Sequence, residues 1–344
     1  MTGMNGSGKS SILEAIFLNC EASNVNAPIS INFIRGEVLS NHTNDRSFKS
    51  LFNDFVGAKP ISIFGHWKNN KTDTTPGNRD LTIKPILSSY KFTQFPDGRQ
   101  NISGLELDFK GAGQKVQTRG QWVEEVVSMP GSVASGIRNG PGQGTHYRFS
   151  QDPPQPKANI KVAFLIPAPR ETINFVYEHL MNATREKNIP GIVRMASIID
   201  QRVTNFVPLF ENGGNQVYVD IGLERLIPLT MMGAGFANML QIAIGIVQTR
   251  SRVIIIDEIE DGLHYTTFPK IARALIDFVQ ESDLQLFIST HSGEFLDAFV
   301  DVARGTNFTD VCSFRISEIV GEKIVTRFDA CDLDSAKNIE LDVR

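Results

Sequence analysis

The sequence predicts an α/β fold with a mixed central sheet flanked by helices, together with an antiparallel β-rich lobe. A glycine-rich loop at residues 3–10 opens directly into a helical segment. Two short apolar runs, at residues 253–256 and 284–288, are separated by a helical stripe, the pattern of buried parallel strands. Between residues 28 and 122, β-forming residues cluster between Gly, Pro, Asn and Asp, which indicates antiparallel strands.

Composition narrows the class of protein. Of the 344 residues, 41% are apolar and 21% are charged, which is typical of a folded globular chain. The formal net charge of −4 gives no general attraction to nucleic acid or anionic membranes, although a local basic patch stays possible. No apolar run approaches the length of a membrane span, and the three cysteines are scattered without a CxxC pair. With no signal-peptide pattern at the N-terminus, these features predict a cytoplasmic protein that contacts no membrane.

In chain order, the first half is predicted as a helix, a β-rich lobe and a loop. The helix covers residues 10–19 within a P-loop and helix segment at 1–27. The lobe at 28–122 contains the candidate strands ISINFI, PISIFGHW, DLTIKPIL, YKFTQF and GLELDF, with one helix near 48–56. Residues 123–160 are predicted as a flexible loop, because most of them are Gly, Pro, Ser and Gln with few apolar side chains.

The second half is more regular. A helical region at 161–214 starts with the strand-like KVAFLI, and its helical pattern covers about 172–206. Within 215–344, QVYVDI and RLIPL form a strand pair, MLQIAIGIV a buried helix, and FPKIARALIDFV an amphipathic helix between two parallel strands. FRISEIVGEKIVTRF is predicted as an edge hairpin. No internal repeat or heptad array is present in the sequence. We expect residues 1–344 to form one domain.

The loop GMNGSGKS fits the pattern GxxxxGK[ST] without a mismatch. Its glycines let consecutive backbone N–H groups point inward at phosphate oxygens, and the following helix adds its positive dipole end. Lys9 would reach the β- and γ-phosphates, and the Ser10 hydroxyl would bind Mg²⁺. The alternative interpretation is a glycine-rich loop that fits the pattern by chance. The helix that follows, with its N-terminus at the loop, favours a phosphate-binding loop instead. The predicted nucleotide-binding residues are Gly3, Asn5, Gly6, Ser7, Gly8, Lys9, Ser10 and Ser11.

Two apolar strands end in polar residues that suit the same chemistry. RVIIIDEIEDGLH delivers Asp257, which would hold Mg²⁺ through water, and Glu258, which would polarise the attacking water as general base. LFISTHS places His291 at the end of the next strand, where it would sense the terminal phosphate. Solvated turn carboxylates and a structural histidine are the alternatives, and the loop at Gly3 favours the functional interpretation.

A third turn, in PLTMMGAGFANMLQIAIGIV, is open to two interpretations. Its Gly-x-Gly turn starts a buried helix, so backbone N–H groups again face outward. It is either a second phosphate-facing turn or a plain connection from strand to helix.

The order of these motifs resembles that of the ABC-type ATPases, the superfamily of SMC-like and RecF-like proteins and transporter motors. It is most similar to the AAA-family or OLD-like branch found in bacterial defence systems, without a TOPRIM nuclease domain. The resemblance is carried by GMNGSGKSSILEAI, PLTMMGAGFANML, IIIDEIEDGLHYTTFPKI, FISTHSGEFLDAF and the C-terminal hairpin. It implies a P-loop NTPase fold of ABC-ATPase type, with ATP and Mg²⁺ as cofactors.

The resemblance also implies a homodimer of heads that sandwiches ATP between the P-loop of one subunit and the signature turn of the other. Thr230, Gly233 and Gly235 would then contact the γ-phosphate in trans, and residues 261–264 would pass between the subunits. Glu258, His291 and Lys9 would be the catalytic residues, with Ser10 and Asp257 holding the metal.

Some positions depart from the family pattern. Ala234 stands where the family has an acidic residue, and Met231 and Met232 stand where it often has serine. The Q-loop glutamine is not identified by position, and the candidates are Gln94, Gln100, Gln114, Gln117 and Gln121. The family also has a longer segment before the P-loop, so we expect the first strand to be missing through a late start or a truncation.

The favoured function is an ATPase that dimerises around ATP and regulates a partner effector, a nuclease or toxin, in anti-phage defence. One alternative is a DNA-repair or SMC-like ATPase acting on DNA, although no heptads are present to build a coiled-coil arm. Another is a nucleotide-binding scaffold with little hydrolysis. Arg170, Arg194 and Arg202 either face a ligand or are simply solvated. The short segment after His291 argues against a nuclease in this chain, and the loop-rich region before residue 160 argues against a transporter motor.

Overall fold

The computed structural model describes residues 1–3, 7–34, 60–67, 77–87, 102–111, 114–128, 143–152, 160–165, 172–211, 213–248, 252–282, 284–319 and 322–333. By its internal contacts the chain divides into two compact units. The first combines Met1–Leu13 with Ile160–Arg344, and the second is Glu14–Asn159. The division into two units does not test the prediction that the whole chain forms a single ATPase domain, which stays a prediction.

The helices are α1 (Lys9–Cys20), α2 (Asn26–Ile34), α3 (Thr172–Arg185), α4 (Ile189–Ala196), α5 (Ala234–Gln248), α6 (Phe268–Glu281) and α7 (Gly293–Gly305). The strands are β1 (Thr2–Gly3), β2 (Ile61–Trp67), β3 (Gly77–Leu87), β4 (Ile102–Gly111), β5 (Gln114–Ser128), β6 (Gln143–Asp152), β7 (Val162–Leu165), β8 (Asn205–Glu211), β9 (Gly214–Asp220), β10 (Ile227–Pro228), β11 (Val253–Ile256), β12 (Gln285–Ile288), β13 (Cys312–Ile319) and β14 (Glu322–Asp329). Among these helices, none combines the length and the apolar character needed to cross a bilayer.

The central sheet of the first unit has the order β7–β11–β12–β1–β13–β14. β11 pairs in parallel with β7 and β12, and β1 pairs in parallel with β13, while β14 closes the sheet antiparallel to β13. The Met1 backbone joins the two halves, since its N donates to the Ile288 carbonyl and its O accepts from Thr290 N at 2.9 Å. All four residues of β11 are buried, as expected for a strand covered on both faces. The predicted α/β fold class is therefore confirmed.

Helix α5 lies at the centre of the first unit's core. Met239, Ile242 and Ile246 belong to the cluster formed with β11, α6 and α7. Leu240 and Ile244 belong to the cluster formed with α3, α4 and the antiparallel β10–β9–β8 sheet. Because two clusters need apolar contacts from the same helix, MLQIAIGIV is apolar nearly all round.

The second unit is built on the antiparallel sheet β2–β3–β4–β5–β6. Leu81 and Ile83 on β3 alternate with outward residues and pack with Leu105, Leu107 and Phe109 of β4, all at most 1% exposed. The candidate strands PISIFGHW, DLTIKPIL and GLELDF are confirmed as β2, β3 and β4. YKFTQF and the predicted helix near 48–56 lie outside the described residues.

A buried arginine of β3 holds the end of helix α1. Arg79 Nη2 donates to the carbonyls of Asn19 at 2.9 Å and Cys20 at 3.4 Å, which are among the last acceptors of the helix. Its guanidinium also lies 4.6 Å from the ring centroid of Phe109. Burial lowers the pKa of Arg79 and raises the pKa of the Cys20 thiol to about 12. None of the three cysteines forms a disulfide.

One predicted strand is wrong, because ISINFI lies in helix α2. The turn before the helix is set by the Asn24 side chain, which accepts from Asn26 N at 3.0 Å. Pro28 falls in the first helical turn, where no intrahelical N–H bond is lost. Ala27, Pro28 and Ile31 are buried, and Ala27 and Ile31 lie four residues apart on one face. The apolar spacing that matters here is that of a helix, not of a strand.

The predicted flexible loop at 123–160 is also wrong in two parts. β5 continues to Ser128, and Gln143–Asp152 forms β6, which pairs with it in antiparallel register. A strand pair satisfies its backbone groups by hydrogen bonding, so low apolar content does not prevent ordering. Residues 129–142 lie outside the described residues. Beyond α4, the helical pattern predicted to about residue 206 stops short, because β8 starts at Asn205 and pairs with β9.

Candidate functional site

A short strand, β1, leads into the glycine-rich loop. Its residues Thr2 and Gly3 pair in parallel with Arg315 and Ile316 of β13, and the expectation of a first strand lost through a late start or a truncation stays a prediction. Gly3 has φ +140°, and a Cβ there would lie 2.5 Å from the Ile316 carbonyl oxygen. A glycine is required at this position because the two backbones approach so closely.

The loop then turns into helix α1 at Gly8. Gly8 has φ +101°, and its carbonyl accepts from Ile12 N at 3.1 Å, which starts the helical hydrogen bonding. A Cβ at Gly8 would lie 3.0 Å from Lys323 Nζ, so the β13–β14 hairpin also reaches this loop. The predicted nucleotide-binding residues Asn5 and Gly6 lie outside the described residues.

Lys9 and Ser7 have the positions that a phosphate loop needs. Lys9 is 6% exposed, and its Nζ donates to the Gly3 carbonyl at 2.7 Å, so its charge lies over the loop. The buried Ser7 Oγ has no hydrogen-bond partner among the described residues. A buried hydroxyl without a partner is costly, and a bound oxyanion would satisfy it. Ser10 and Ser11 are exposed at the start of α1.

β11 delivers the two predicted carboxylates, and a residue of the next strand organises them. Asp257 is 7% exposed, and the hydroxyl of the fully buried Ser289 donates to its Oδ1. The same hydroxyl accepts from Glu258 N at 2.9 Å. Sequence reasoning missed Ser289, although a serine directly after the apolar run of β12 was a visible signal.

Glu258 is held in a strained conformation. Its φ of +49° lies in the left-handed region, which costs a non-glycine residue about 1–2 kcal/mol. Its side chain is exposed, beside the buried Asp257. Strain of this kind persists where the surroundings fix the backbone, and it concentrates at functional sites.

His291 is anchored by Glu260, a residue for which the sequence analysis predicted no role. His291 Nδ1 lies 2.9 Å from Glu260 Oε1, and the side chain of His291 is 45% exposed. The same oxygen accepts from the backbone N of His291 at 2.6 Å and of Ser292 at 3.1 Å. Glu260 itself is 8% exposed.

These groups meet at one edge of the sheet. β11, β12 and β1 run parallel and are consecutive in the sheet order, so their carboxyl ends present Asp257, His291 and the glycine-rich loop side by side. This edge is where open α/β sheets bind ligands. Within the described ranges, no cluster of three His, Cys, Asp or Glu residues could hold a metal. Mg²⁺ is usually bound by one or two carboxylates and by substrate phosphates, and a magnesium site made by Asp257 and the Ser10 hydroxyl stays a prediction.

The Gly-x-Gly turn has two different glycines. Gly233 has φ +88°, is exposed, and has open space around the position of a Cβ. Gly235 packs against Gly262, where a Cβ would lie 1.8 Å from the Gly262 carbonyl oxygen. Asn238 Nδ2 also donates to the Asp261 carbonyl at 3.3 Å. The turn and the loop at 261–264 are therefore neighbours within one chain, and the exposed Thr230 lies just before the turn.

Of the remaining candidates, the two arginines that the structure describes each lie near an acidic side chain. Arg202 pairs with Asp200 at 2.6 Å, and Arg194 lies 3.9 Å from Glu281, each with an exposed side chain. Arg170 lies outside the described residues. Gln94 and Gln100 also lie outside them, while Gln114, Gln117 and Gln121 are on β5 of the second unit.

Fold and loop together define an α/β protein of the P-loop NTPase class. Residues 132–297, slightly less than half of the chain, match a family model described as "AAA domain, putative AbiEii toxin, Type IV TA system". A Helicobacter pylori (strain ATCC 700392 / 26695) protein named "ATP/GTP phosphatase" is 25% identical over 324 residues, which cover 90% of this chain and 83% of that protein.

The chain also matches solved structures, and two of them are SMC heads. An SMC head bound to the C-terminal winged-helix domain of ScpA is 14% identical, with a TM-score of 0.48 over 98% of this chain and 90% of that one. A Pyrococcus furiosus Smc head with an extended coiled coil is 11% identical, with a TM-score of 0.41 over 98% and 91% of the two chains.

Proposed function

We propose that this protein binds ATP with Mg²⁺ and hydrolyses it. The observation that carries the proposal is the placement of Asp257 and Glu258, both fixed by Ser289, at the sheet edge that also holds the Lys9 loop. The matching family model and the relative named as a phosphatase support the same activity.

Each residue has a role that its position allows. The N–H groups of the loop and the Lys9 ammonium bind the β- and γ-phosphates. Asp257 and Ser10 hold Mg²⁺, which supplies positive charge to the phosphates when bound. Glu258, exposed beside Asp257, orients and deprotonates the attacking water. His291 contacts the terminal phosphate from the end of β12.

We further propose that the hydrolytic site is completed by a second copy of the chain. The turn at Thr230 and Gly233 is exposed and lies against the loop at 261–264, so both elements offer one continuous face. Met231 and Tyr265 on these elements are 74% and 63% exposed. Nucleotide held between two such faces links ATP binding to dimerisation. We also propose that the regulated partner is an effector, a nuclease or toxin, of a defence system.

A hydrolysis-deficient variant tests the dimer. Glu258→Gln removes the general base and keeps the nucleotide contacts, so ATP with Mg²⁺ should hold two copies together. Light scattering should then give twice the mass of one chain with ATP and the mass of one chain with ADP. Glu186→Gln, at an exposed position after α3, is the matched control and should not accumulate the dimer. Only single chains for Glu258→Gln at saturating ATP would contradict the sandwich.

A further inference from the structure

Glu260 is a buried carboxylate that gives one oxygen to three donors. Its Oε1 accepts from the backbone N of His291 and Ser292, and it lies 2.9 Å from His291 Nδ1. The backbone N–H and the ring of His291 therefore share one acceptor atom, while the Ser292 N–H also donates to Thr290 Oγ1 at 3.0 Å. Glu260 links the end of β11 to the residues that follow β12.

The other oxygen of the same carboxylate accepts no hydrogen bond from the described part of the chain. Glu260 Oε2 is buried and has no hydrogen-bond partner there. Leaving a buried polar atom unsatisfied is destabilising, and more so if the atom is charged. A neutral amide of the same shape would keep the Oε1 contacts at a lower desolvation cost. The carboxylate is thus a poor choice for stability alone, and this points to a role in function.

The contact fixes which nitrogen of His291 carries a proton. An ionised carboxylate only accepts hydrogen bonds, so Nδ1 at 2.9 Å from Oε1 must be the donor. The other ring nitrogen, Nε2, lies on the opposite side of the imidazole and is the atom left for a ligand. A phosphate oxygen also only accepts hydrogen bonds, so Nε2 would donate to it, with the Glu260 carboxylate on the other side of the ring.

We propose that Glu260 is a positioning residue for His291: it holds the ring with Nδ1 protonated and presents Nε2 to the terminal phosphate of a nucleoside triphosphate. This inference rests on the proposed function. Carboxylates that orient metal-binding histidines in this way are worth about 10–100-fold in metal affinity or activity, and we expect an effect of similar size here. Glu260 touches no phosphate itself and acts only through the ring and backbone of His291.

Nitrogen NMR of ¹⁵N-histidine-labelled protein tests the geometry independently of turnover. The chain has six histidines, and His291→Gln identifies the signals of this ring by their loss. Wild type should show Nδ1 of His291 protonated, and Glu260→Ala should lose that signature. Unchanged His291 signals in Glu260→Ala would overturn the proposal. This readout does not require activity, so it stands even if ATP hydrolysis is absent and the proposed function fails.

Kinetics test whether the orientation matters. Glu260→Ala should lower kcat about 10–100-fold, with the KM for ATP changing less than about threefold. In a His291→Ala background the same substitution should change kcat less than about twofold, because the ring it orients is gone. Fully additive losses in the double variant would contradict a role through His291.

Glu260→Gln keeps the test decisive if the alanine variant does not fold. The amide retains an acceptor oxygen for the three donors and removes the charge. We expect a melting temperature equal to or above that of wild type, with kcat about tenfold lower. A variant that folds normally and turns over ATP at the wild-type rate would overturn the proposal.

Discussion

At the residue scale, the candidate site is organised by small contacts made by residues outside the motif consensus. The Ser289 hydroxyl bridges the Asp257 carboxylate and the Glu258 backbone N. This bridge helps to fix Glu258 at φ +49°, a conformation that a glutamate rarely adopts. The backbone strain is therefore in the proposed general base itself, and it accompanies a side chain that is directed to the ligand edge.

Replacing the strained glutamate by glycine should separate stability from activity. Glu258→Gly relieves the left-handed strain and should raise the free energy of unfolding by about 0.5–1 kcal/mol while abolishing hydrolysis. Lys187→Gly is the matched control, because Lys187 has φ +59° at the end of α3, away from the motifs. It should gain similar stability and keep full activity. Denaturant unfolding measures the stability of each variant, and phosphate release measures its hydrolysis of ATP. A Glu258→Gly variant that is less stable than wild type would contradict the strain.

At the element scale, the Gly-x-Gly turn illustrates what a motif string cannot reveal. The family resemblance assigned both glycines one role, contact with a phosphate in trans, and the alternative was a plain connection from strand to helix. In the structure Gly233 is open to solvent, while Gly235 provides the close approach of α5 to the loop at Gly262. That approach joins residues 27 positions apart in the chain, so local patterns carry no signal for it.

Adding a methyl group at Gly235 should be severe. In Gly235→Ala the new Cβ would lie 1.8 Å from the Gly262 carbonyl oxygen, so one of the two elements must move. We expect a loss of about 3 kcal/mol or more in the free energy of unfolding. Gly305→Ala, at the end of α7 where a Cβ meets nothing within 4 Å, should change stability by less than about 1 kcal/mol. Equal unfolding free energies for the two variants would contradict the packing.

Elements whose signal is local were predicted well, and the errors have physical reasons. The strands β11 and β12, the helix α6 and the C-terminal hairpin follow from apolar runs and period. ISINFI failed because a short apolar segment fits either period, and Asn24 and the buried face at Ala27 decided for a helix. β6 failed because its order comes from pairing with β5, not from its composition.

The contacts of Ser289 and Glu260 could not be predicted for a similar reason, although the position of Ser289 directly after β12 was visible in the sequence. Each acts between the end of β11 and the end of β12, and the sequence shows neither the pairing register nor the distance between them. By contrast, Asp257 and Glu258 were predictable because their chemistry and their position after a buried strand are both local. Their catalytic assignment stays a prediction until turnover is measured.

At the scale of the whole molecule, the sheet order unites the motifs. The chain places the glycine-rich loop at its start and the other motifs more than 200 residues later, and only the pairing β11–β12–β1 brings them to one edge. The β13–β14 hairpin extends the same sheet and brings Lys323 to Gly8. Distant segments of the first unit thus form one candidate site for nucleotide phosphates.

The most direct test of the central claim is steady-state release of phosphate from ATP in the presence of Mg²⁺. Wild type should turn over ATP, and Glu258→Gln should be at least about 100-fold slower, since loss of a general base typically costs that much. Glu186→Gln should match wild type. No turnover by wild type, or equal rates for wild type and Glu258→Gln, would contradict an ATPase whose general base is Glu258.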